Sequence, residues 1–260
     1  MLSKEFVQLN DSIIAAGAVL KNYFGKQLEL SYKSTSADYF TKADIEAEQI
    51  IVQAIEKIFP NYNILAEELG KKHKDSPYTF VIDPLDGTNN FVLGIPVFAS
   101  SIALMKGKEV IYGVVYNPIT NDLYYALKGQ GAFWNGSPIT VNNQNLAQHA
   151  TVSYFCNYVT PKERITEFRT RISNLGIRRY LDLWAPAFCY CKLASGMIEG
   201  IVNDKIELYD FAAGKLIAIE AGAKITDFSG NNIDDDTNDV FVATNGTAIH
   251  NFIVDKVTNF

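Results

Sequence analysis

A short acidic stretch, residues 83–91, constrains this chain more than any other part of its sequence. A β-favouring run over residues 78–82 ends directly in Asp83, and a proline and a glycine then predict a turn that places Asp86 three residues further on. Two carboxylates held close together raise each other's pKa unless a cation lies between them. Their oxygens are hard ligands, so the stretch favours Mg²⁺ or Mn²⁺ over Zn²⁺.

Composition and charge narrow the class of protein. With 260 residues the chain can bury a sizeable core in one large domain or two modest ones. Its net charge of −6 disfavours nucleic-acid binding through a basic face, although metal ions would still let it bind a small anion. Three cysteines without a disulfide pattern favour a reducing compartment, and neither a signal peptide nor a membrane-spanning run is visible. We therefore expect a cytoplasmic protein with no nucleic-acid or membrane partner.

Helical spacing of apolar residues predicts two helices at the start of the chain. The first covers residues 3–24, and the second begins after Thr41 and ends before Pro60. Thr41 and Asp44 have the spacing of a capping box, with Asp in place of the usual Glu. Capping alone explains Thr41 and Asp44, and Lys33 alone would be an ordinary surface lysine.

A short apolar strand over residues 64–66 ends in an acidic pair. Glu67 and Glu68 follow it directly, and adjacent acids normally face solvent. The strand over residues 78–82 also ends in an acid. If the two strands are neighbours, Glu67 and Asp83 meet at one edge of the sheet.

The remaining sequence divides into two patterns. Turn signals at short intervals between residues 97 and 134 predict an antiparallel meander. The polar stretch 142–148 then precedes alternating strands and helices, which are typical of an α/β unit. We therefore predict an N-terminal α+β domain, with the antiparallel sheet and a metal-binding loop, over residues 1–146, and a C-terminal α/β domain over residues 147–260.

Asp210 precedes a helix rich in small residues, predicted over residues 210–221. Its default interpretation is an N-cap. Ala212, Ala213 and Gly214 would let the helix approach another backbone closely. The alternative is that Asp210 also carries a carboxylate across the domain interface.

Taken together, Glu67, Asp83, Asp86 and Asp210 are four carboxylates at the ends of elements. Small-molecule sites often form at such ends, between domains. Carboxylates without histidine favour several Mg²⁺ ions acting on a phosphorylated substrate. A hydroxyl–carboxylate pair, Thr88 with Asp44, could orient or deprotonate a water.

These motifs resemble the inositol monophosphatase family of Mg²⁺-dependent, Li⁺-sensitive phosphatases, over nearly the whole chain. Residues 83–91 match the family signature Asp-Pro-[Ile/Leu]-Asp-Gly-Thr-x-x-Phe, and residues 209–214 match its second signature, aromatic-Asp-x-x-[Ala/Gly]-Gly. Further matches are Lys33, Asp38, Thr41 and Asp44, the acidic pair after Ala66, and residues 113–116 and 129–133.

The resemblance implies a layered αβαβα sandwich of the inositol monophosphatase and fructose-bisphosphatase type, and a homodimer. It implies two to three Mg²⁺ ions, which Mn²⁺ could replace. The implied ligands are Glu67, Asp83 and the main-chain carbonyl of Leu85 for the first ion, Asp83, Asp86 and Asp210 for the second, and Glu67 for a weaker third. The implied catalytic groups are Glu67, Thr88 and Asp44, and the implied phosphate donors are the amides of Gly87 and Thr88.

The chain departs from the family pattern at residues expected to bind the alcohol part of the substrate. Asn203 stands where inositol-selective members carry Glu, and Asp182 and Trp184 replace small residues near the expected pocket. The predicted substrate-binding residues are Asp86, Gly87, Thr88, Asn203 and Asp182.

The predicted reaction is Mg²⁺-dependent hydrolysis of a small phosphate monoester, an inositol or sugar monophosphate, by phosphoric monoester hydrolase chemistry. Alternatives within the same chemistry are a fructose-1,6-bisphosphatase, an NADP phosphatase and a nucleotide 3′-phosphatase. A non-enzymatic alternative is a regulatory binding protein.

Overall fold

In the computed structural model, residues 2–34 and 38–258 are described, and two large β-sheets with helices between and outside them make up the fold. The elements of the first part are α1 (Lys4–Tyr23), β1 (Ser31–Tyr32), β2 (Tyr39–Phe40), α2 (Lys42–Ile58), β3 (Asn63–Ala66), β4 (Gly70–Lys72), β5 (Tyr78–Asp86), α3 (Thr88–Val92), β6 (Ala99–Lys106), β7 (Glu109–Asn117), β8 (Asp122–Leu127), β9 (Ala132–Trp134) and β10 (Ser137–Ile139). Both predicted N-terminal helices are present at nearly the predicted bounds.

The second part alternates strands and helices, as its sequence pattern predicts. Its elements are a 3₁₀ turn (Ala147–His149), β11 (Thr151–Cys156), α4 (Lys162–Asn174), β12 (Arg179–Leu181), α5 (Pro186–Ala194), β13 (Gly200–Asp204), α6 (Leu208–Glu220), β14 (Lys224–Thr226), β15 (Val240–Thr244) and α7 (Ala248–Lys256). No helix in the described part of the chain is long and apolar enough to cross a bilayer.

The two large sheets differ in strand direction. The first has eight strands in the order β10-β9-β8-β7-β6-β5-β3-β4, antiparallel except for the parallel pair β3 and β5. The second has five strands in the order β12-β11-β13-β15-β14, with β11 parallel to both of its neighbours. The predicted meander corresponds to β6 through β9.

Three apolar clusters define the layers. Helices α1 and α2 cover one face of the first sheet through residues such as Ile13, Ile51 and Ile102. Helices α5 and α6 fill the space between the two sheets, and α4 and α7 cover the outer face of the second sheet. The order of layers is therefore αβαβα, which confirms the predicted fold class. The domain ranges 1–146 and 147–260 stay a prediction and include residues 1, 35–37 and 259–260, which lie outside the described part.

Two local predictions were wrong. The turn predicted at Pro84 does not occur there, because β5 continues to Asp86 through a shift in register between Asp83 and Asp86. Such an irregularity accommodates a proline, which has no N–H for the ladder. The turn comes at Gly87, whose φ of 91° is left-handed. Asp210 is not the N-cap of α6, since Glu207 takes that position and Asp210 is the third helical residue.

Candidate active site

The parallel pairing of β3 with β5 brings the first two acids together. Ala66 lies opposite Ile82, so the residues that follow, Glu67 and Asp83, leave the sheet at the same edge. The N–H of Glu67 donates to the carbonyl of Ile82 at 3.1 Å, which continues the ladder by one residue. The predicted neighbourhood of these two strands is confirmed.

Asp83 and Asp86 are almost completely buried at the end of β5. Asp83 Oδ1 accepts the N–H of Leu85 at 2.9 Å, and Asp86 Oδ2 accepts the N–H of Phe188 at 3.0 Å. Phe188 lies in the first turn of α5, where the helix dipole favours a negative charge. Asp86 Oδ1 is buried and has no hydrogen-bond partner. A buried carboxylate oxygen without a partner is costly, and a bound cation would satisfy it.

Helix α6 carries Asp210 towards this edge of the first sheet. An added Cβ on Gly113 of β7 would lie 2.8 Å from the carbonyl oxygen of Ala213, so the helix backbone rests directly on the strand. The small residues of the second signature allow this approach. Asp210 Oδ2 accepts the N–H of Glu207 at 3.2 Å. The structure therefore brings a carboxylate of the second part next to those of the first.

The buried acids destabilise one another's charged forms. Burial raises the pKa of Asp83 well above its usual range, and the charges of Glu67, Asp86 and Asp210 raise it further. Burial likewise raises the pKa of Asp86, with Asp210 as the strongest neighbouring charge. Burial and Glu67 raise the pKa of Asp210. A nearby cation would stabilise the charged forms of these carboxylates.

Lys33 supplies part of that charge in the structure. Its Nζ lies 2.7 Å from Glu67 Oε1 and 2.6 Å from Glu68 Oε1. Burial lowers the pKa of Lys33, but the two carboxylates outweigh burial and raise the pKa above its ordinary value. Local sequence reasoning gave Lys33 no role, and only the family pattern pointed to it.

Thr88 and Asp44 form a hydroxyl–carboxylate pair next to the acids. Thr88 Oγ1 lies 3.4 Å from Asp44 Oδ1 and 3.0 Å from the carbonyl oxygen of Leu85. Asp44 Oδ2 accepts the N–H and the hydroxyl of Thr41 at 2.8 and 2.7 Å, which confirms the capping box. Burial raises the pKa of Asp44 to about 6, although the Thr41 hydrogen bonds oppose it.

Gly87 lies in the acidic loop, residues 83–88, and permits the second part of the chain to pack closely against it. An added Cβ would lie 3.0 Å from the Ala185 Cβ, 3.1 Å from the Val97 carbonyl oxygen and 3.2 Å from the Trp184 carbonyl oxygen. The backbone is left-handed there, so only glycine fits without strain. The carbonyl of Leu183 also accepts the side-chain amide of Asn90. Residues 183–185 therefore lie beside the acidic loop.

Two of the predicted substrate contacts have other partners. Asn203 is fully buried on β13, where its Oδ1 accepts the Tyr190 hydroxyl at 2.9 Å and its Nδ2 donates to the Asp239 carbonyl at 2.8 Å. Both ends of its amide are therefore bound to groups of the second part. The carboxylate of Asp182 lies 2.9 Å from Arg169, near the surface.

Two exposed aromatic residues lie at the site. Sequence reasoning did not identify Tyr158, and it named Trp184 only as a departure from the family pattern. Tyr158, between β11 and α4, receives a hydrogen bond from Asn89 Nδ2 at 3.1 Å. Nothing in its sequence context signals this contact. Trp184 is half exposed and has a φ of 47°, which is unusual for a bulky residue.

The oxygen-rich donor set fits Mg²⁺ or a similar hard cation. The carboxylates come from both parts of the chain, raise one another's pKa and leave Asp86 Oδ1 without a partner. Within residues 2–34 and 38–258, however, no group of three or more Asp, Glu, His or Cys side chains is already arranged to hold an ion. Glu67 contacts Lys33 and also shares a side-chain hydrogen bond with Asp83. A bound cation would therefore have to displace Lys33 from Glu67.

Comparison with known proteins identifies the family. Residues 3–259 match the model of the inositol monophosphatase family. This chain belongs to that family. It is therefore a phosphatase of the phosphoric monoester hydrolase class, in a family that is generally metal-dependent.

Individual relatives span most of the chain. A "fructose-1,6-bisphosphatase/inositol-1-monophosphatase" of Aquifex aeolicus is 35% identical, over 82% of this chain and 81% of its own. A "Nus factor SuhB" of Vibrio cholerae is 37% identical, over 84% of each chain. Among solved structures, an extragenic suppressor protein suhB of Bartonella henselae superposes with a TM-score of 0.92 at 29% identity and 99% coverage of both chains.

Proposed function

We propose that this protein hydrolyses a small phosphate monoester, an inositol or sugar monophosphate, with Mg²⁺ as its cofactor. The convergence of Glu67, Asp83, Asp86 and Asp210 around a carboxylate oxygen without a partner carries this proposal. The Aquifex aeolicus relative's name includes both an inositol-monophosphate and a fructose-bisphosphate activity, which supports the substrate class.

The proposed ligands follow the family pattern. Glu67, Asp83 and the Leu85 carbonyl would hold one ion, Asp83, Asp86 and Asp210 would hold a second, and Glu67 would contribute to a third. Bound Mg²⁺ would stabilise the negative charge that develops on the transferring phosphoryl group. Mn²⁺ could replace it, since it prefers the same oxygen ligands.

The chain's own residues would position the phosphate and move a proton. The amides of Gly87 and Thr88 would donate to phosphate oxygens at the start of α3. Thr88 Oγ1 would take a proton from the attacking water while its own proton passes to Asp44 Oδ1. In the structure that hydroxyl is nearer to Leu85 O, at 3.0 Å, than to Asp44, at 3.4 Å. A small rotation of the hydroxyl proton is sufficient to change the acceptor.

For binding of the alcohol, we propose contacts that differ in part from those predicted from the sequence. Asn203 is not included in the proposed contacts, because its amide is already bound on both sides. Asp182 would first have to leave Arg169. Tyr158 and Trp184 are exposed side chains beside residues 83–90 and are proposed as contacts of the alcohol. Fructose 1,6-bisphosphate, NADP and a nucleotide 3′-phosphate therefore stay as alternative substrates.

The test is phosphate release from inositol 1-phosphate, fructose 1,6-bisphosphate, NADP and adenosine 3′,5′-bisphosphate. Each substrate is assayed with Mg²⁺, with a chelator, and with Mg²⁺ plus Li⁺. We expect turnover that requires Mg²⁺, is inhibited by Li⁺, and is highest for one substrate. Glu67→Gln should abolish it. The control Glu56→Gln changes a surface carboxylate paired with Lys72 and should not. Full activity in chelator, or in Glu67→Gln, would refute the proposal.

A regulatory role is a second candidate, because the Vibrio cholerae relative carries the name Nus factor SuhB. The test is complementation of a deletion strain by the inactive Glu67→Gln protein. Rescue would favour regulation, and failure with a stable protein would favour catalysis.

We also propose a homodimer in a reducing, cytoplasmic compartment. The three thiols, Cys156, Cys189 and Cys191, are unpaired, which supports the compartment. Light scattering coupled to size exclusion measures the assembly: a mass near twice 28.9 kDa supports the dimer, and a mass near 28.9 kDa contradicts it.

A further inference from the structure

Glu48 is a buried carboxylate that the proposed reaction does not use. It lies on α2 and has no solvent-exposed surface. Its Oε2 accepts the N–H of Glu68 at 3.0 Å, and its Oε1 accepts the N–H of Leu69 at 2.6 Å. A carboxylate is costly to bury unless its oxygens are hydrogen-bonded, and bonds from main-chain N–H groups to a charged acceptor are strong. Glu48 therefore fixes the main chain at two consecutive residues.

Those two residues follow Glu67 directly. On its other side, Glu67 is held by the hydrogen bond from its own N–H to Ile82 at the end of the parallel ladder. Gly70, with a φ of 73°, then starts the return strand β4. The backbone of Glu67 is thus fixed between the sheet and Glu48, which restricts the directions that its side chain can take.

The same helix also supports the other side of the site. Asp44 lies four residues before Glu48, so both side chains project from one face of α2, one turn apart. Asp44 Oδ1 contacts Thr88, and Glu48 contacts the segment after Glu67. Helix α2 therefore contacts the Thr88 hydroxyl through Asp44 and the main chain after Glu67 through Glu48.

We propose that Glu48 is a positioning residue that directs Glu67 towards the other carboxylates and thereby sets the affinity of the site for divalent cations. The inference rests on the proposed function, because it assumes that Glu67 is a cation ligand. Glu48 acts through the main chain of Glu68 and Leu69 and touches neither substrate nor cation. Groups of this kind, which orient a ligand without binding the metal, typically change metal affinity or activity by about 10–100-fold when they are replaced.

Two variants separate position from charge. Glu48→Gln keeps the length of the side chain, but its NH₂ group must face one of the two N–H donors, so one hydrogen bond is lost. Glu48→Asp keeps the charge, but it is one methylene shorter and cannot reach both N–H groups. A positioning role predicts that both variants lose cation affinity. A purely electrostatic role predicts loss only in Glu48→Gln.

The first measurement is a calorimetric titration of each protein with Mn²⁺ alone. The rate of phosphate release is measured in parallel as a function of Mg²⁺ concentration. We expect the dissociation constant for Mn²⁺, and the Mg²⁺ concentration at half-maximal rate, to rise about ten-fold in both variants. Glu56→Gln is the matched control, because Glu56 lies on the same helix and pairs with Lys72 at the surface. It should behave as wild type. Glu48→Asp is the milder change and keeps the test available if Glu48→Gln does not fold.

The second measurement needs no metal and no activity. Amide hydrogen exchange of the metal-free proteins should become faster at Glu68 and Leu69 in both variants, while Val81 in the centre of β5 stays protected. Wild-type Mn²⁺ affinity in Glu48→Asp would overturn the inference. Absence of Mn²⁺ binding and of turnover in the wild-type protein would overturn the proposed function, and the inference with it.

Discussion

Replacing Gly113 by alanine should shift α6 slightly away from the first sheet. The substitution therefore tests how the fold positions Asp210. Gly113 is on β7, and an added Cβ would lie 2.8 Å from the carbonyl oxygen and 2.9 Å from the Cα of Ala213. Both are backbone atoms in the middle of a helix, so neither can rotate away. Restoring an ordinary separation of at least 3.4 Å requires a displacement of the helix by about 0.6 Å.

The expected loss of stability follows from two opposing effects. Forcing an extra methyl group into a packed core costs about 1–3 kcal/mol. Alanine also restricts the unfolded chain, which returns about 0.4–1 kcal/mol. With the middle of each range, the net loss is about 1.3 kcal/mol in the free energy of unfolding. In a chain of this size that lowers Tm by about 3–5 °C.

Urea unfolding and thermal unfolding of Gly113→Ala measure this loss. The matched control is Gly200→Ala on β13, where the added Cβ meets only the mobile Cδ1 end of Ile253 within 3 Å. The control should lose clearly less stability, because that side chain can rotate. We also expect Gly113→Ala to bind Mn²⁺ more weakly, since α6 carries Asp210. A loss in Gly113→Ala no greater than in Gly200→Ala would refute the reasoning.

Three further predictions use buried polar groups. Asp44→Asn should lower kcat for phosphate release about 100-fold, because the amide cannot take the proton of Thr88; an unchanged kcat would exclude that role. His250 is buried, which lowers its pKa to about 4, so stability present above pH 6.5 is lost as the pH falls towards 4, by about 2 kcal/mol at pH 5. Because the buried acids with raised pKa titrate in both proteins, the test is the difference: from pH 7 to pH 5 the free energy of unfolding should fall about 2 kcal/mol further in wild type than in His250→Gln, and equal changes would contradict this. Arg164→Met should cost about 3 kcal/mol in urea unfolding, because buried Asp204 loses its cation, and a loss below 1 kcal/mol would contradict this.

Local sequence patterns predicted the elements well where a period or a cap defined them. The capping box of Thr41 and Asp44, the meander and the alternating second part all occur in the structure. Pro84 was misread because a proline inside a strand is tolerated only at an irregularity, and a register shift depends on the neighbouring strand rather than on local residues.

The acids of the site could be predicted from the sequence. The hydrogen-bond partners of other polar residues could not. The meeting of Glu67 and Asp83 follows from the ends of two strands, once those strands are taken as neighbours. Asn203 could not be judged, because its partners Tyr190 and Asp239 are distant in sequence and bind it only in the folded chain. The sequence around Glu48 gives no signal of its role, since its partners also come from tertiary structure.

Calorimetric titration of Mn²⁺ into the wild-type, Asp86→Asn and Asp210→Asn proteins tests the central claim most directly. The claim is that carboxylates from both parts of the chain form one cation site at the end of β5. It predicts that each substitution raises the dissociation constant for Mn²⁺ at least ten-fold, although Asp86 lies in the first sheet and Asp210 on α6. Wild-type affinity in Asp210→Asn would show that the two parts do not share the site and would contradict the account.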